Sequence, residues 1–127
     1  MNLPTFLQSR ITRAAVGLAL VLHGLAHIAI GSAVQDTRRG SELVVATVLF
    51  FVATPGFVAA GFGAWNVPGL RSIWSGLVKA SVLASVLLLV MAAPAQSQIV
   101  AAVALDALLL ALADAMTVAP ATWRATT

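Results

Sequence analysis

Four long apolar stretches, separated by short polar segments, dominate the pattern of the sequence. They run from about Ala14 to Val34, Leu43 to Trp65, Trp74 to Ala93 and Ile99 to Val118. Each holds roughly 20 mostly apolar residues, the length that an α-helix needs to cross the hydrocarbon core of a bilayer. None alternates apolar and polar residues at period two, as the strands of a membrane β-barrel do. The pattern predicts an all-α fold, with residues 1–127 forming one membrane domain built from a four-helix bundle.

The polar segments between the stretches predict the turns. The segment QDTRRGSE, residues 35–42, separates the first stretch from the second. Asn66, Pro68 and Gly69 end the second stretch, because proline resists continuing a helix and restricts the residue before it. The uncharged segment PAQSQ, residues 94–98, separates the third stretch from the fourth. The segment after the second stretch is short, so we expect the second and third helices to be antiparallel neighbours.

Composition supports the membrane class. The chain is 61% apolar and 9% charged, with a mean hydropathy of +1.02, whereas soluble domains are usually about 25% charged. The absence of cysteine excludes disulfides, thiolate metal sites and iron–sulfur clusters. In a membrane protein, basic residues set the orientation in the bilayer, so the net charge of +3 is weak evidence for nucleic-acid binding. We therefore expect the lipid bilayer, and not a nucleic acid, to be the main partner.

Basic residues and tryptophans predict the orientation. One side of the predicted bundle carries five basic residues and three tryptophans, namely Arg10, Arg13, Arg71, Lys79, Arg124, Trp65, Trp74 and Trp123. The other side carries only Arg38 and Arg39, next to Asp36 and Glu42. Because basic residues favour the cytoplasmic side and indoles favour the interface, both termini are predicted to be cytoplasmic, in the inner (plasma) membrane. A cleaved signal peptide is the alternative for the first stretch, which is longer than the usual 7–15 apolar residues of such signals.

Candidate chemistry lies where ionisable residues interrupt the apolar stretches, since a charge at the bilayer centre costs about 2.5–3.5 kcal/mol on insertion scales. His23 and His27 are four residues apart and project from one face of the first helix. Asp106 is predicted at nearly the same depth in the fourth helix, and Thr54 precedes Pro55 at a similar level in the second. These residues predict a ligand site if the first and fourth helices are neighbours.

The cluster has several interpretations. In the first, it is structural and Asp106 accepts a hydrogen bond that holds two helices together. In the second, it binds a quinone or a similar apolar ligand with a polar edge, whose body packs on residues such as Phe50, Phe51 and Leu109. In the third, it relays protons. In the fourth, His23, His27 and Asp106 bind a metal. Two histidines on one helix turn cannot ligate opposite faces of one haem.

Two other charged residues fall near helix ends. Lys79 is expected to extend its ammonium to the cytoplasmic interface, and Asp114 is expected to be interfacial. Small residues at helical spacing, such as Ala107, Ala111 and Ala115, are expected to let helices approach closely.

The segments RITRAAVGLALVLHGLAHIAIG and GFVAAGFGAWNVPGLR resemble the DoxX-like family of small four-helix membrane proteins. In the first segment the matching positions are Arg13, Gly17, His23, Gly24, His27 and Gly31, although the family often has lysine at the position of His27. The resemblance implies an inner-membrane subunit associated with redox chemistry and, in some members, with quinone reduction. It favours a quinone as the ligand, and a second copy or another membrane or redox subunit as the partner.

Two functions of different classes follow. The chain is either a redox-associated membrane subunit that binds a quinone at His23, His27, Asp106 and Thr54, or a non-catalytic anchor or assembly subunit whose polar cluster is structural. An enzyme acting alone is disfavoured, because the sequence offers no nucleophile–base pair, phosphate loop or self-contained electron carrier.

Overall fold

The computed structural model describes residues 9–92 and 99–118. It contains four helices, α1 (Arg10–Thr37), α2 (Gly40–Ala64), α3 (Trp74–Ala92) and α4 (Ile99–Val118), and no strand among the described residues. All four are long and apolar enough to cross a membrane. The predicted all-α bundle of four membrane-length helices is therefore confirmed, and it fits a multi-pass membrane protein. The predicted PAQSQ turn lies outside the described residues.

Helices α1 and α2 extend beyond the predicted apolar stretches. The helix α1 begins after Ser9, whose hydroxyl accepts a hydrogen bond from the backbone N–H of Thr12 at 3.1 Å, the usual action of a serine N-cap. At its other end only Arg38 and Arg39 separate α1 from α2, which begins at Gly40 with a φ of +60°. The predicted turn over residues 35–42 was too long, because polar residues continue a helix where it emerges from the apolar region.

The turn between α2 and α3 follows the prediction closely. Asn66 has a φ of +63°, and its backbone N–H donates to the carbonyl of Gly63 while that of Val67 donates to the carbonyl of Phe62. This pair of bonds is a Schellman motif, which satisfies the last carbonyls of a helix. Pro68 follows and prevents the helix from resuming at once.

Pro55 lies inside α2, which is one helix from Gly40 to Ala64. Proline has no N–H to donate, so the carbonyl four residues earlier, that of Phe51, lacks its usual helical partner. The Pro55 ring itself is exposed on the outer surface of the bundle. The proline therefore faces away from the buried polar residues.

Glycines, not alanines, set the closest helix approach. Gly17, Gly24 and Gly31 are seven residues apart on α1, and each faces α2. A Cβ on Gly24 would lie 2.9 Å from the carbonyl oxygen of Thr54 and 3.0 Å from Cβ of Phe57. The expectation that Ala107, Ala111 and Ala115 pack against neighbouring helices of the bundle was wrong, because all three are exposed.

The helices pack in sequence order, with α1 on α2, α2 on α3 and α3 on α4, whereas direct contact between α1 and α4 is slight. Two apolar clusters form the core. The larger one, near the α2–α3 turn, comprises Val16, Leu20, Phe57, Ala60, Ala64, Trp74, Val78, Val82, Leu109 and Ala113. The smaller one, near the α1–α2 turn, comprises Val34, Ala46, Leu88 and Ala92. Large apolar side chains such as Leu22, Phe51 and Val100 cover the exterior, as expected of a surface that faces lipid.

Candidate functional site

A buried polar network joins three helices midway along the bundle. It consists of His23 and His27 on α1, Ser85 on α3 and Asp106 on α4, and we call it the midspan network. The side chains are positioned by helix geometry, since the four-residue spacing places both imidazoles on the same face of α1. Phe57 of α2 packs against both rings, with centroid distances of 4.7 Å to His23 and 5.6 Å to His27. All four helices thus contribute to the site.

Hydrogen bonds connect the members of the midspan network without a gap. Nε2 of His23 lies 2.6 Å from Oδ1 of Asp106, and the hydroxyl oxygen of Ser85 lies 2.6 Å from Oδ2 of the same carboxyl group. Nε2 of His27 lies 2.7 Å from Oγ of Ser85. Nδ1 of His27 donates to the backbone carbonyl of His23 at 3.0 Å. Asp106 therefore has a partner on each oxygen, and His27 has a partner on each ring nitrogen.

Counting donors defines where the protons can lie. The carbonyl of His23 only accepts, so Nδ1 of His27 must carry a proton. If Ser85 donates its one proton to Asp106, Nε2 of His27 must donate to Ser85, which makes His27 an imidazolium. With Nε2 of His23 donating to Oδ1, Asp106 is then a carboxylate. If the hydroxyl of Ser85 instead points to His27, Asp106 carries the proton and both groups are uncharged. The same heavy-atom positions are compatible with both arrangements. The two arrangements have the same net charge, because they differ only in where the protons lie.

The midspan network is almost fully removed from the surface. The exposed fractions are 7% for His23, 1% for His27, 0% for Ser85 and 1% for Asp106. Along the helices, the network lies between the two apolar clusters, since His23 and His27 fall between Leu20 and Val34. Polar groups at such a position are costly unless they are hydrogen-bonded. Their mutual bonds explain how an apolar bundle accommodates them.

The structure brings together most of the residues that the sequence singled out. His23, His27 and Asp106 meet as the depth argument predicts, and the direct bond is between His23 and Asp106. Thr54 is not part of the network; its backbone carbonyl faces Gly24, and its buried hydroxyl has no hydrogen-bond partner among the described residues. Whether these residues bind a ligand stays a prediction.

Ser85 is the member that sequence reasoning missed. In the sequence it is one of several small residues on α3, four residues after Ser81, a spacing that is typical of close helix packing. A signal was present, because Ser85 is a hydroxyl at the predicted depth of His27 and Asp106. Without the order of the helices around the bundle, that depth alone did not select it.

The geometry does not support the metal interpretation. Among residues 9–92 and 99–118, no three histidine, aspartate or glutamate side chains are placed to hold a metal ion. The reason is visible in the network, where the hydroxyl of Ser85 lies between His27 and Asp106 and is bonded to both.

A small groove lies one helical turn from the midspan network, toward the α1–α2 turn. Its free space is too small to hold a water molecule, and it is lined by Gly31, Val34, Gln35, Ala46, Thr47, Phe50 and Leu88. Gly31 is four residues after His27, and Leu88 is three residues after Ser85. Of the residues predicted to hold a ligand body, Phe50 lines this groove, whereas Phe51 is 64% exposed and Leu109 is in the core. No side chain of the network lines the groove.

Lys79 and Asp114 form an interaction that was not predicted. The ammonium of Lys79 on α3 lies 3.0 Å from Oδ1 of Asp114 on α4, and both side chains are about half exposed. The interfacial positions predicted for Lys79 and Asp114 stay predictions. The pairing adds that each neutralises the other across the α3–α4 contact.

Comparison of the chain with protein-family models, curated proteins and solved structures finds no match. The resemblance to DoxX-like proteins therefore stays a prediction.

Proposed function

We propose that this chain is a non-catalytic, multi-pass membrane subunit of the inner (plasma) membrane, in which the midspan network closes the helix bundle. The observation that carries this proposal is that His23, His27, Ser85 and Asp106 are hydrogen-bonded to one another or to a helix carbonyl. A polar cluster that satisfies itself in this way is suited to holding helices together. The exterior of the closed bundle is then available to lipid and to a partner, either a second copy or another membrane subunit.

The packing order supports a closing role. Direct contact between α1 and α4 is slight, and the bond from His23 to Asp106 spans this gap. Asp106 is also hydrogen-bonded to Ser85 on α3. One aspartate therefore fixes α4 against two other helices, in a medium where apolar side chains gain little by leaving lipid for protein.

The experiment that tests this proposal compares Ser85→Ala with Ser32→Ala. Ser85→Ala leaves one oxygen of Asp106 and one nitrogen of His27 without partners, and we expect a loss of about 1–3 kcal/mol in the free energy of unfolding. Ser32 is exposed and bonds only within its own helix, so its removal is expected to change stability by less than about 0.5 kcal/mol. Reversible unfolding in mixed detergent micelles measures both. Equal stability of the two variants would remove the support for the proposal.

A second candidate function is binding of a quinone or a similar apolar ligand, and the groove that lies one helical turn from His27 and Ser85 is the route by which such a ligand would enter. A ring would first have to separate the side chains that line the groove, and it would then meet Nε2 of His27 in place of the Ser85 hydroxyl. Phe50 lies on the wall of the groove and would contact the ring. The redox role implied by the resemblance to DoxX-like proteins belongs to this candidate.

Titration with a short-chain ubiquinone analogue tests the second candidate. Binding is expected to raise the melting temperature of the wild-type protein, and His27→Ala is expected to weaken that binding by about 1–3 kcal/mol, since a polar edge loses its partner. Phe51→Ala is the control, because Phe51 is 64% exposed on the outer surface. If the wild-type protein does not respond to the analogue, the quinone candidate fails and the structural proposal is unaffected.

A further inference from the structure

An arginine pair lies at the end of the bundle that holds the α2–α3 turn. On α1, Arg13 donates from Nε to the carbonyl of Ala64 at 3.0 Å, which fixes its guanidinium against the end of α2. Arg71 lies in the turn that follows α2, where a Cβ on Gly63 would lie 2.9 Å from the carbonyl oxygen of Leu70, the residue before Arg71. The Arg71 side chain is exposed. The two like charges therefore lie at the same end of the bundle, and neither forms an ion pair among the described residues.

The acidic residues of the chain cannot neutralise this pair. The sequence has four acidic residues, and all of them lie within the described ranges. Asp36 and Glu42 are at the opposite end of the bundle, where Glu42 accepts from Arg38. Asp106 is buried in the midspan network, and Asp114 is bonded to Lys79. No acidic side chain therefore remains as a counter-ion for Arg13 and Arg71.

The surroundings of the pair resemble a membrane interface. Trp65 is partly exposed beside it, and its indole N–H donates to the carbonyl of Ala14 at 3.1 Å. Indole side chains favour the headgroup level of a bilayer. The helix α3 begins nearby at Trp74, and the positive end of its dipole adds to the attraction for an anion.

We propose that Arg13 and Arg71 together bind a phosphate group, supplied by the headgroup of an anionic phospholipid. Guanidinium groups pair well with phosphate because they offer several N–H donors in a fixed plane. Nε of Arg13 is occupied by the carbonyl of Ala64, which leaves its two terminal nitrogens for the ligand. The lipid acyl chains would lie along the apolar exterior of α1, next to exposed Ile11 and Leu18.

The test is lipid binding by the full-length protein in detergent, measured by native mass spectrometry with phosphatidylglycerol and phosphatidylcholine. Wild-type protein is expected to prefer phosphatidylglycerol, and Arg71→Gln is expected to lower that affinity by about fivefold, the usual effect of one basic residue at an anionic membrane. Arg39→Gln, an exposed arginine at the opposite end, is the control and should change the affinity by less than twofold. Arg71 makes no side-chain hydrogen bond among the described residues, so folding should not be affected by its loss.

Three results would overturn the proposal. One is equal binding of the two lipids by the wild-type protein. Another is an Arg71→Gln variant that binds phosphatidylglycerol as the wild type does or loses no more than Arg39→Gln. The third is inorganic phosphate alone protecting the protein from thermal unfolding as well as phosphatidylglycerol does, which would assign the site to a free anion. None of these outcomes depends on the role of the midspan network.

Discussion

Substitution of Gly24 tests how closely α1 and α2 must approach to place the histidines. The Cβ of an alanine at this position would lie 2.9 Å from the carbonyl oxygen of Thr54, 3.0 Å from Cβ of Phe57 and 3.2 Å from Cγ2 of Val58. Two of these neighbours are backbone or Cβ atoms, which cannot rotate away. The helices must therefore separate by a few tenths of an ångström, and His23 moves with them.

The magnitude follows from two opposing effects. Alanine in place of glycine gains about 0.5–1 kcal/mol from helix propensity. Overpacking a close contact costs about 1–3 kcal/mol. We expect Gly24→Ala to lower the free energy of unfolding by up to about 2.5 kcal/mol. Gly24→Leu should lower it further, because the larger side chain has no space between the two helices.

Gly76→Ala is the matched control, because a Cβ at Gly76 has no neighbour within 4 Å. We expect it to be neutral or slightly stabilising. Unfolding in mixed detergent micelles, followed by tryptophan fluorescence, measures each variant. The reasoning is refuted if Gly24→Ala is as stable as Gly76→Ala, since the close approach would then cost nothing to disturb.

Three further predictions concern the ends of the bundle. Trp65→Phe removes the N–H that donates to the carbonyl of Ala14 and should cost about 0.5–1.5 kcal/mol, whereas an unchanged stability would mean that the bond contributes nothing. Lys79→Gln should cost at most about 1 kcal/mol, because the ion pair with Asp114 is half exposed, and a double-mutant cycle measures the coupling. The chain has no cysteine, so single introduced cysteines report the membrane orientation. A cysteine at Thr37 should react with an impermeant maleimide from outside intact cells, whereas one at Ser72 should react only after lysis. The reverse pattern would contradict the predicted topology.

The fold was largely predictable because its strongest determinant is local. Apolar stretches of membrane length separated by turn residues specify helices without reference to the rest of the chain. The end of α2 was predictable for the same reason, since Asn66 and Pro68 end the helix through their own local backbone conformation. The long ends of α1 and α2 were not, because hydropathy marks the apolar region and not the point where the helical hydrogen bonds stop.

The site was only partly predictable because it depends on which helices are neighbours. Depth along the helices follows from residue number, so the meeting of His23 and Asp106 could be predicted. The order of helices around the bundle does not follow from it, and Ser85 and the pairing of Lys79 with Asp114 depend on that order. Gly17, Gly24 and Gly31 carried a usable signal, since a seven-residue spacing places them on one face of α1.

The central claim is that Asp106 holds α4 against α1, and the distance between these helices tests it most directly. Spin labels at Leu22 and Leu108, which are 57% and 54% exposed, would report that distance by double electron–electron resonance in nanodiscs. The account predicts a single narrow distance distribution in the otherwise wild-type protein. In Asp106→Ala the distribution should become broader or shift to longer distances. Asp114→Asn breaks only the exposed ion pair and should leave the distribution unchanged. An Asp106→Ala variant with the wild-type distribution would show that α4 is held without the network and would contradict the claim.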